Sequence, residues 1–362
     1  MAEYDDLHWN FREIDGYDCL WNWVVSEREA GKTTSMWRKA KVNFENGYTF
    51  LLTRQQKVGL SSIYLNDCCD AMNKFIPNER DRYEFLFSKS ELERGIVNVF
   101  ARKKREGAKE RIMFRAVALS NSMSDMKSLF LKKCRFHMAD EFIKNTRQGE
   151  SYLKGEVFRF KELINTFQRE SPEPFKSYMF GNPYSRANPY FVEFGVDINK
   201  LKRGEIYLDR ERSVLVQCYE IKPELRAKIL ESNPLYKFSD EYTKYAFDGL
   251  NINDMHMIQV AKRPRNFSLL FAIRIDGRII GIYQNTQDFN FDYVFWVGPT
   301  DSLGAKRIVY AFDFADLRHN TILIDKYGKH LLNNFANAMR ARKVAFANSQ
   351  YGTWAEIIYN YL

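Results

Sequence analysis

The sequence predicts an α/β protein in which a parallel-rich sheet carries a phosphate-binding loop, followed by a smaller α+β unit. Three observations point there. Over the first 200 or so residues, short apolar runs alternate with helical stretches, the pattern of a parallel sheet with both faces covered. Gly31-Lys32-Thr33-Thr34 stands between the first apolar run and the first helical stretch, which is where a phosphate-binding loop belongs. Beyond Asn253 the texture changes to strands in a hairpin pattern.

Taken in order, Leu20 to Val25 is a short apolar strand, and helix follows the Gly-Lys-Thr-Thr turn to about Asn43. Tyr48 to Leu52 is a second strand, and Ser62 to Asn73 is helical. Three alternating segments, Tyr83–Phe87, Ile96–Phe100 and Arg111–Phe114, are joined by polar turns and read as a β-meander inserted in the α/β core. Arg135–Ala139 is a buried strand ending in Asp140-Glu141. A helix from about Gly155 to Gln168 and a strand from Ser177 to Gly181 come next. Glu205 to Glu220 forms a hairpin, then Lys222–Glu231 and Ser239–Phe247 are helical, with Pro223 and Pro234 as punctuation. That stretch, 204–252, is expected to link a first domain, 1–203, to a last one, 253–362. In the last domain Ser268–Ile275 turns at Asp276-Gly277 into Arg278–Tyr283. Strands at Tyr293–Val297 and Arg307–Phe312 precede a helix from Lys326 to Lys343.

With 45% hydrophobic and 28% charged residues the 362-residue chain has an ordinary globular composition, which excludes collagen-like, low-complexity and wholly disordered readings. No apolar run approaches the roughly 18 residues that span a bilayer. The N-terminus opens acidic where a secretory signal opens basic and turns apolar, so the protein is expected to stay where it is made. Five cysteines without a Cys-x-x-Cys, two of them adjacent at Cys68-Cys69, suit a reducing cytoplasm. The five histidines never fall at metal-ligand spacing, so the usual signatures of zinc hydrolases and zinc fingers are missing. A net charge of +9 favours a polyanionic partner, although it also fits a merely basic soluble protein.

Chemistry concentrates in Ser26-Glu27-Arg28-Glu29-Ala30-Gly31-Lys32-Thr33. Backbone N–H groups of such a loop point inward and the helix N-terminus adds positive dipole, so a triphosphate is cradled without many side-chain charges. Lys32 would neutralise the β- and γ-phosphates, Thr33 would ligate Mg²⁺, and Thr34 completes the loop. About a hundred residues on, Asp140 would hold Mg²⁺ and Glu141 would orient or deprotonate the attacking water. An isolated Asp-Glu pair is usually solvated surface; coupled to a strand-borne Gly-Lys-Thr it reads as the second acidic motif of an ATPase. Asn182, at the end of the following strand, is suited to sensing the γ-phosphate, and an Asn-Pro turn is its ordinary alternative.

Together these residues resemble the DNA packaging ATPases of short-tailed phages with protein-primed genomes (phi-twenty-nine type), relatives of terminase large subunits. The resemblance runs over most of the chain, strongest from Leu20 to Phe191. It rests on the loop with internal Arg28, the Phe-Leu-Leu-Thr-Arg54 strand, Met138-Ala139-Asp140-Glu141-Phe142, and Asn182 followed by Asn188-Pro189-Tyr190-Phe191. Ser26 departs from the glycine usual at the first loop position. The resemblance implies a P-loop ATPase domain of the additional-strand, catalytic-glutamate type. It also implies a ring-forming motor, pentameric in the family, that pumps double-stranded DNA into a viral prohead through its portal. Such a motor works in the host cytoplasm and transiently at the prohead, and a structural RNA is a possible further partner. Carried over by residue, Arg28 looks like the P-loop arginine and Lys127 like a lysine reaching across a subunit interface. Arg169 is the choice for a trans-acting arginine finger, with a surface salt-bridging arginine as the alternative. Lys57 resembles the basic loop facing the DNA channel. The run of Lys103, Lys104 and Arg105, with Lys109 near it, is a second candidate for phosphate contact. Charge runs of this kind are also ordinary solvated faces.

The C-terminal unit resembles the RNase H-like domain that in terminases is a nuclease. A two-metal nuclease needs three or four converging carboxylates, normally beginning inside the first strand. Ser268–Ile275 contains no acid, and Glu356 is the only glutamate after Asn253, so the nuclease reads as vestigial. From Met255 to Leu362 there are 13 Lys+Arg against 8 Asp+Glu, a surface able to hold DNA, a structural RNA or an acidic portal face. Two other readings stand beside the packaging motor: a terminase-like ATPase with an active nuclease, and a non-catalytic nucleic-acid-binding protein.

Overall fold

A computed structural model describes residues 7–233 and 260–362, apart from short breaks at 128, 146–149, 154, 170, 172–173, 186–187, 198–199, 276, 286–291, 301–307 and 313–315. The chain divides into two compact units, one made of 1–143, 156–183 and 201–249, the other of 144–155, 184–200 and 250–362.

The strands of the first unit are β1 (Trp21–Ser26), β2 (Thr49–Arg54), β3 (Tyr83–Leu86), β4 (Ile96–Lys103), β5 (Arg111–Ala118), β6 (Cys134–Asp140), β7 (Lys176–Gly181), β8 (Ile206–Asp209) and β9 (Val214–Tyr219). Its helices are α1 (Arg12–Asp15), α2 (Lys32–Glu45), α3 (Ser62–Asn73), α4 (Lys89–Arg94), α5 (Met123–Lys127), α6 (Glu156–Arg169) and, after the short α7 (Pro189–Glu193) of the second unit, α8 (Pro223–Ser232). The nine strands form one sheet in the order β3-β4-β5-β2-β6-β7-β1-β9-β8. From β5 to β9 every pairing is parallel, while β3, β4 and β8 run antiparallel to their neighbours at the edges. β7 thus intervenes between β1, which leads into the Gly-Lys-Thr-Thr turn, and β6, which ends in Asp140: the additional strand that the P-loop reading expects.

One face of the sheet packs aromatics in register. Phe50 of β2 pairs with Phe114 of β5 and Phe136 of β6, and its ring stacks on theirs at 4.9 and 5.1 Å between centroids. Trp37 of α2 closes over Phe50 and Phe114 edge-on, so the helix that follows the loop is pinned to the sheet centre.

The hairpin expected to be part of a linker is instead two strands of this sheet. Val214–Tyr219 pairs in parallel with Trp21–Ser26, and β8 caps that edge. Its apolar Val-Leu-Val run is buried on the sheet, a non-local pairing that a hairpin pattern does not reveal. The second difference is α4, in a segment taken for a polar turn: Ser88 caps its N-terminus by accepting from Glu91 N, and Gly95 ends it at φ 74°. The helix expected at Ser239–Phe247 lies outside the described residues.

In the second unit β10 (Phe267–Ile275), β11 (Arg278–Asn285), β12 (Phe295–Pro299), β13 (Val309–Ala311), β14 (Thr321–Leu323) and β15 (Val344–Phe346) order as β14-β13-β10-β11-β12-β15. β10, β11 and β12 are antiparallel; the flanking strands add in parallel. The single helix expected from Lys326 to Lys343 is two, α9 (Lys326–Leu331) and α10 (Asn333–Arg340), broken at fully buried Leu332. A last helix, α11 (Ser349–Tyr361), is capped by Asn348, which accepts from Gln350 N and Tyr351 N. Among the described residues no helix is long and apolar enough to cross a membrane, and all five cysteines are free.

Candidate functional site

Four parallel strands bring their C-terminal ends to one edge: β1 at Ser26, β2 at Arg54, β6 at Asp140 and β7 at Gly181. In an open α/β sheet that is where ligands bind.

The loop after β1 supplies the cation. Lys32 is buried and its Nζ donates to Ser26 O at 2.8 Å, Ser26 Oγ at 2.8 Å, Glu27 O at 2.9 Å and Asn182 Oδ1 at 3.3 Å. The loop oxygens therefore hold the ammonium inward. Burial lowers its pKa to about 8, against the pull of Asp140 and Glu27. Gly31 turns the chain into α2 at φ 91°, where a β-carbon would strike His8 Cβ at 2.8 Å. No side chain caps α2, so its first-turn N–H groups are left for an anion.

Opposite stand the acids. Thr33 Oγ1 donates to Asp140 Oδ2 at 3.0 Å, which brings a hydroxyl and a carboxylate together in the donor set of a Mg²⁺ ion. Burial raises the Asp140 pKa, and neighbouring Glu141 raises it further. Lys32, the Thr33 hydrogen bond and Arg54 pull it back. Glu141 follows at φ 60°, a left-handed backbone that swings its exposed side chain away from the sheet toward Arg54, Nη2 to Oε2 3.4 Å. Gly181 lets this turn pass close by, since a β-carbon there would meet Phe142 Cε1 at 2.9 Å.

The cleft is lined by Arg28, Gly31, Lys32, Thr33, Thr34, Asp140, Glu141 and Asn182 among others. The structure therefore brings together most of the residues that sequence reasoning selected; Ser26 sits just beneath, on Lys32. Lys127 and Arg169 are not among the lining residues. Lys127 pairs with Glu162 of α6 at 3.0 Å, and Arg169 is exposed at the C-terminal end of that helix. Lys57 is exposed on a one-turn 3₁₀ helix after β2. Lys103 and Lys104 are tied to Asp81 at 3.5 Å and Glu79 at 3.2 Å, and Arg105 is exposed beyond them.

Several residues were given no role in the sequence reading. Arg54 reaches Glu141, at the cleft, because β2 lies beside β6. Trp9, fully buried, straps the loop from behind: its N–H donates to Ala30 O at 2.9 Å, its carbonyl accepts from Ser35 Oγ at 2.6 Å, and its indole donates to Gln217 Oε1 at 2.7 Å. Arg203 pairs with buried Glu27 inside the loop and with Glu220. Three strands behind the cleft are joined by His137, whose ring nitrogens lie 2.8 Å from Thr53 Oγ1 and 2.8 Å from Ser177 Oγ. Only the buried Glu27 and the lone histidine in an apolar strand could have been noticed beforehand, and neither shows its partner.

The family model for the podovirus DNA encapsidation protein (Gp16) matches residues 4–359. No curated protein matches the chain in sequence. Among solved structures the Phi-28 gp11 DNA packaging motor is similar at a TM-score of 0.65 and 16% identity, over 99% of this chain and 98% of that one. The bacteriophage Phi-29 viral genome packaging motor assembly gives 0.62 and 20%, over 99% of this chain and 100% of that one. The N-terminal domain of the DNA packaging ATPase from bacteriophage phi29 is 21% identical with a TM-score of 0.47, over 60% of this chain and 99% of that one. At these identities the first two are likenesses of fold.

Proposed function

The chain belongs to the podovirus DNA encapsidation protein (Gp16) family, and from that membership we propose that it is the ATP-hydrolysing motor that drives double-stranded DNA through the portal into the prohead, acting as a homo-oligomeric ring. One observation carries the ATPase reading: a buried lysine held by its own loop faces a hydroxyl–carboxylate pair and an exposed glutamate at the carboxyl edge of a parallel sheet. The similar solved structures, one described as a DNA packaging motor and the other as a viral genome packaging motor assembly, support DNA packaging as the work of this fold.

The chain's own groups divide the work. Lys32 and the uncapped N–H groups of α2 bind the phosphates, whose charge replaces that of the loop carbonyls around the ammonium. Arg28, exposed on the loop, adds a second cation at its mouth. Thr33 and Asp140 would hold Mg²⁺. When bound, the ion neutralises charge that develops on the transferred phosphoryl group. Glu141 orients the water and takes its proton as the oxygen attacks phosphorus and the bond to the leaving diphosphate breaks. Asn182, already hydrogen-bonded to Lys32, feels the occupancy of the phosphate end. Lys57, exposed on its turn, suits contact with a DNA backbone. Lys103 and Lys104 are engaged by acids and suit it less, leaving Arg105 as the open cation of that run. In the C-terminal unit the first strand, Phe267–Ile275, carries no acid, which supports the vestigial-nuclease reading, with the basic surface available to DNA, a structural RNA or the portal.

Measuring nucleotide binding and turnover on purified chain tests the site. Lys32→Ala is expected to lose both, and Glu141→Gln to keep binding and lose hydrolysis; parallel loss of both in the glutamate variant would show the site misassigned.

A further inference from the structure

Glu27 is an acid in an unfavourable place. It follows Ser26 into the loop, and only 6% of its side chain is exposed, in a region that the phosphate reading reserves for anions. Its main-chain carbonyl accepts from Lys32 Nζ at 2.9 Å. Burial lowers the Lys32 pKa, and Asp140 and then Glu27 raise it, so the Glu27 charge reaches the lysine. A carboxylate so placed competes with phosphate for the ammonium. Yet among the described residues Lys32 donates to neutral oxygens alone: Ser26 O, Ser26 Oγ, Glu27 O and Asn182 Oδ1.

Arg203 accounts for the difference. Its Nη2 pairs with Glu27 Oε1, and its Nε lies 3.0 Å from Glu220 Oε1. Burial raises the Glu27 pKa; its own N–H, Arg203, the Ile221 N–H and last Lys32 oppose that, so Arg203 outweighs the lysine as counter-ion. The sheet places this arginine. Gly204 N donates to Cys218 O at 2.7 Å and Cys218 N to Glu205 O at 3.0 Å, which clips the chain beside Arg203 to β9. Tyr219, at the end of β9, pairs with Ser26, at the end of β1, so the arginine and the loop are set from one sheet edge.

We propose that Arg203 is a positioning residue of the phosphate site: it engages the Glu27 carboxylate and so keeps Lys32 on neutral oxygens that phosphate can displace. The proposal rests on the P-loop reading of Lys32. Without Arg203, the buried carboxylate is left with Lys32 among the cations that oppose its protonation. An ion pair between them would close the loop on itself, and phosphate would have to compete with an internal anion.

Isothermal titration of the full chain with ATP and with inorganic tripolyphosphate, in one Mg²⁺ buffer, tests it, beside the thermal midpoint of each variant. Arg203→Gln, which keeps most of the bulk and loses the charge, should weaken both ligands by about tenfold or more, the scale of one charged contact. Arg203→Lys, which keeps the charge, should lie between that variant and the unaltered chain. Adding Glu27→Gln to Arg203→Gln should bring both affinities back to within about threefold of the unaltered chain, because a neutral amide does not hold the ammonium. A brace that only steadied the fold would lower the thermal midpoint and leave the affinities of the folded chain alone. Unchanged affinities in folded Arg203→Gln, or a double variant that binds no better than the single one, overturn the proposal. Failure of the P-loop reading looks different: Lys32→Ala would then leave both affinities intact, and Arg203 would have no phosphate site to position.

Discussion

Arg54, at the end of β2, reaches across to Glu141, at the end of β6, with Nη2 3.4 Å from Oε2, while its guanidinium rests 4.7 Å from the centroid of the Tyr64 ring. The two side chains meet because their strands are parallel neighbours in which Thr53 pairs with Ala139, one residue short of each end.

On the proposed role of Glu141 as the base, this pair would orient the carboxylate and add little to stability. With 60% of the Glu141 side chain exposed, such an ion pair contributes only about 0–1 kcal/mol. Arg54→Ala should therefore leave the thermal midpoint nearly unchanged while lowering kcat by about ten- to a hundredfold, the cost of a misplaced base. Arg54→Lys, which keeps charge and loses the planar stack on Tyr64, should fall between. An unaltered kcat in a folded Arg54→Ala chain would reduce the contact to an incidental surface pair.

Lys32 sets a pH limit on binding. Burial brings its pKa to about 8 from an ordinary 10.5, so the ammonium that meets the phosphates is lost as pH rises through about 8. Nucleotide affinity should drop between pH 7 and 9, with proton uptake on binding near pH 8–9, because a bound phosphate favours the charged form. Stability runs the other way: the unfolded chain binds the extra proton between about 8 and 10.5, so in that window this group's contribution to folding rises with pH. Titration calorimetry in two buffers of different ionisation heat reads the proton directly. Binding without uptake at pH 8.5 would show that Lys32 is not the phosphate cation.

His137 predicts an acid-side slope. Burial lowers it to about 3, so it stays neutral in the fold and links Thr53 to Ser177 across β2, β6 and β7. The unfolded chain, with an ordinary 6.5, binds the extra proton between about 3 and 6.5. Stability should thus fall by roughly 1.4 kcal/mol per pH unit as pH drops through that window. His137→Ala should cost ~2–4 kcal/mol at pH 7 through a cavity and two orphaned hydroxyls, and should lose this slope. Urea melts at pH 7, 5.5 and 4.5 decide it: a difference between the two chains that stays constant with pH would contradict a buried neutral imidazole.

Local signals carried much of this fold. The loop, α2, α3 and the strand ending in Asp140 were legible because each is written in consecutive residues: a short apolar run, a turn, a 3.6 period. Strand adjacency is not written that way. Val214–Tyr219 gave a hairpin pattern but no sign that it pairs with β1, and Arg54 gave no sign that its strand lies beside β6. Trp9 as a strap on Ala30 and Ser35, and Arg203 on Glu27, depend on chain segments brought back from far along the sequence. In α4 the fault was different, since Ser88 and Gly95 are readable caps around a helix of only six residues.

Assembly follows from where the two remaining cations stand. Lys127 pairs with Glu162 on α6, and Arg169 ends the same helix, exposed; neither lines the cleft of its own chain. If either completes a phosphoryl-transfer site, the site belongs to a neighbouring copy, and a lone subunit lacks a charge worth about 10³ to 10⁵ in rate in arginine-finger systems. Specific ATPase activity should then rise with protein concentration across assembly. Mixing Arg169→Ala with Lys32→Ala should restore part of it, because a mixed interface pairs the intact loop of one chain with the intact finger of the other, which neither variant offers alone. Lys127→Ala mixed with Lys32→Ala asks the same of the lysine, whose bond to Glu162 would have to be given up to the neighbour's phosphates. Activity per subunit that is constant over the assembly range, with both mixtures inactive, would mean that each cleft is complete within one chain and that Lys127 and Arg169 only brace the surface of α6.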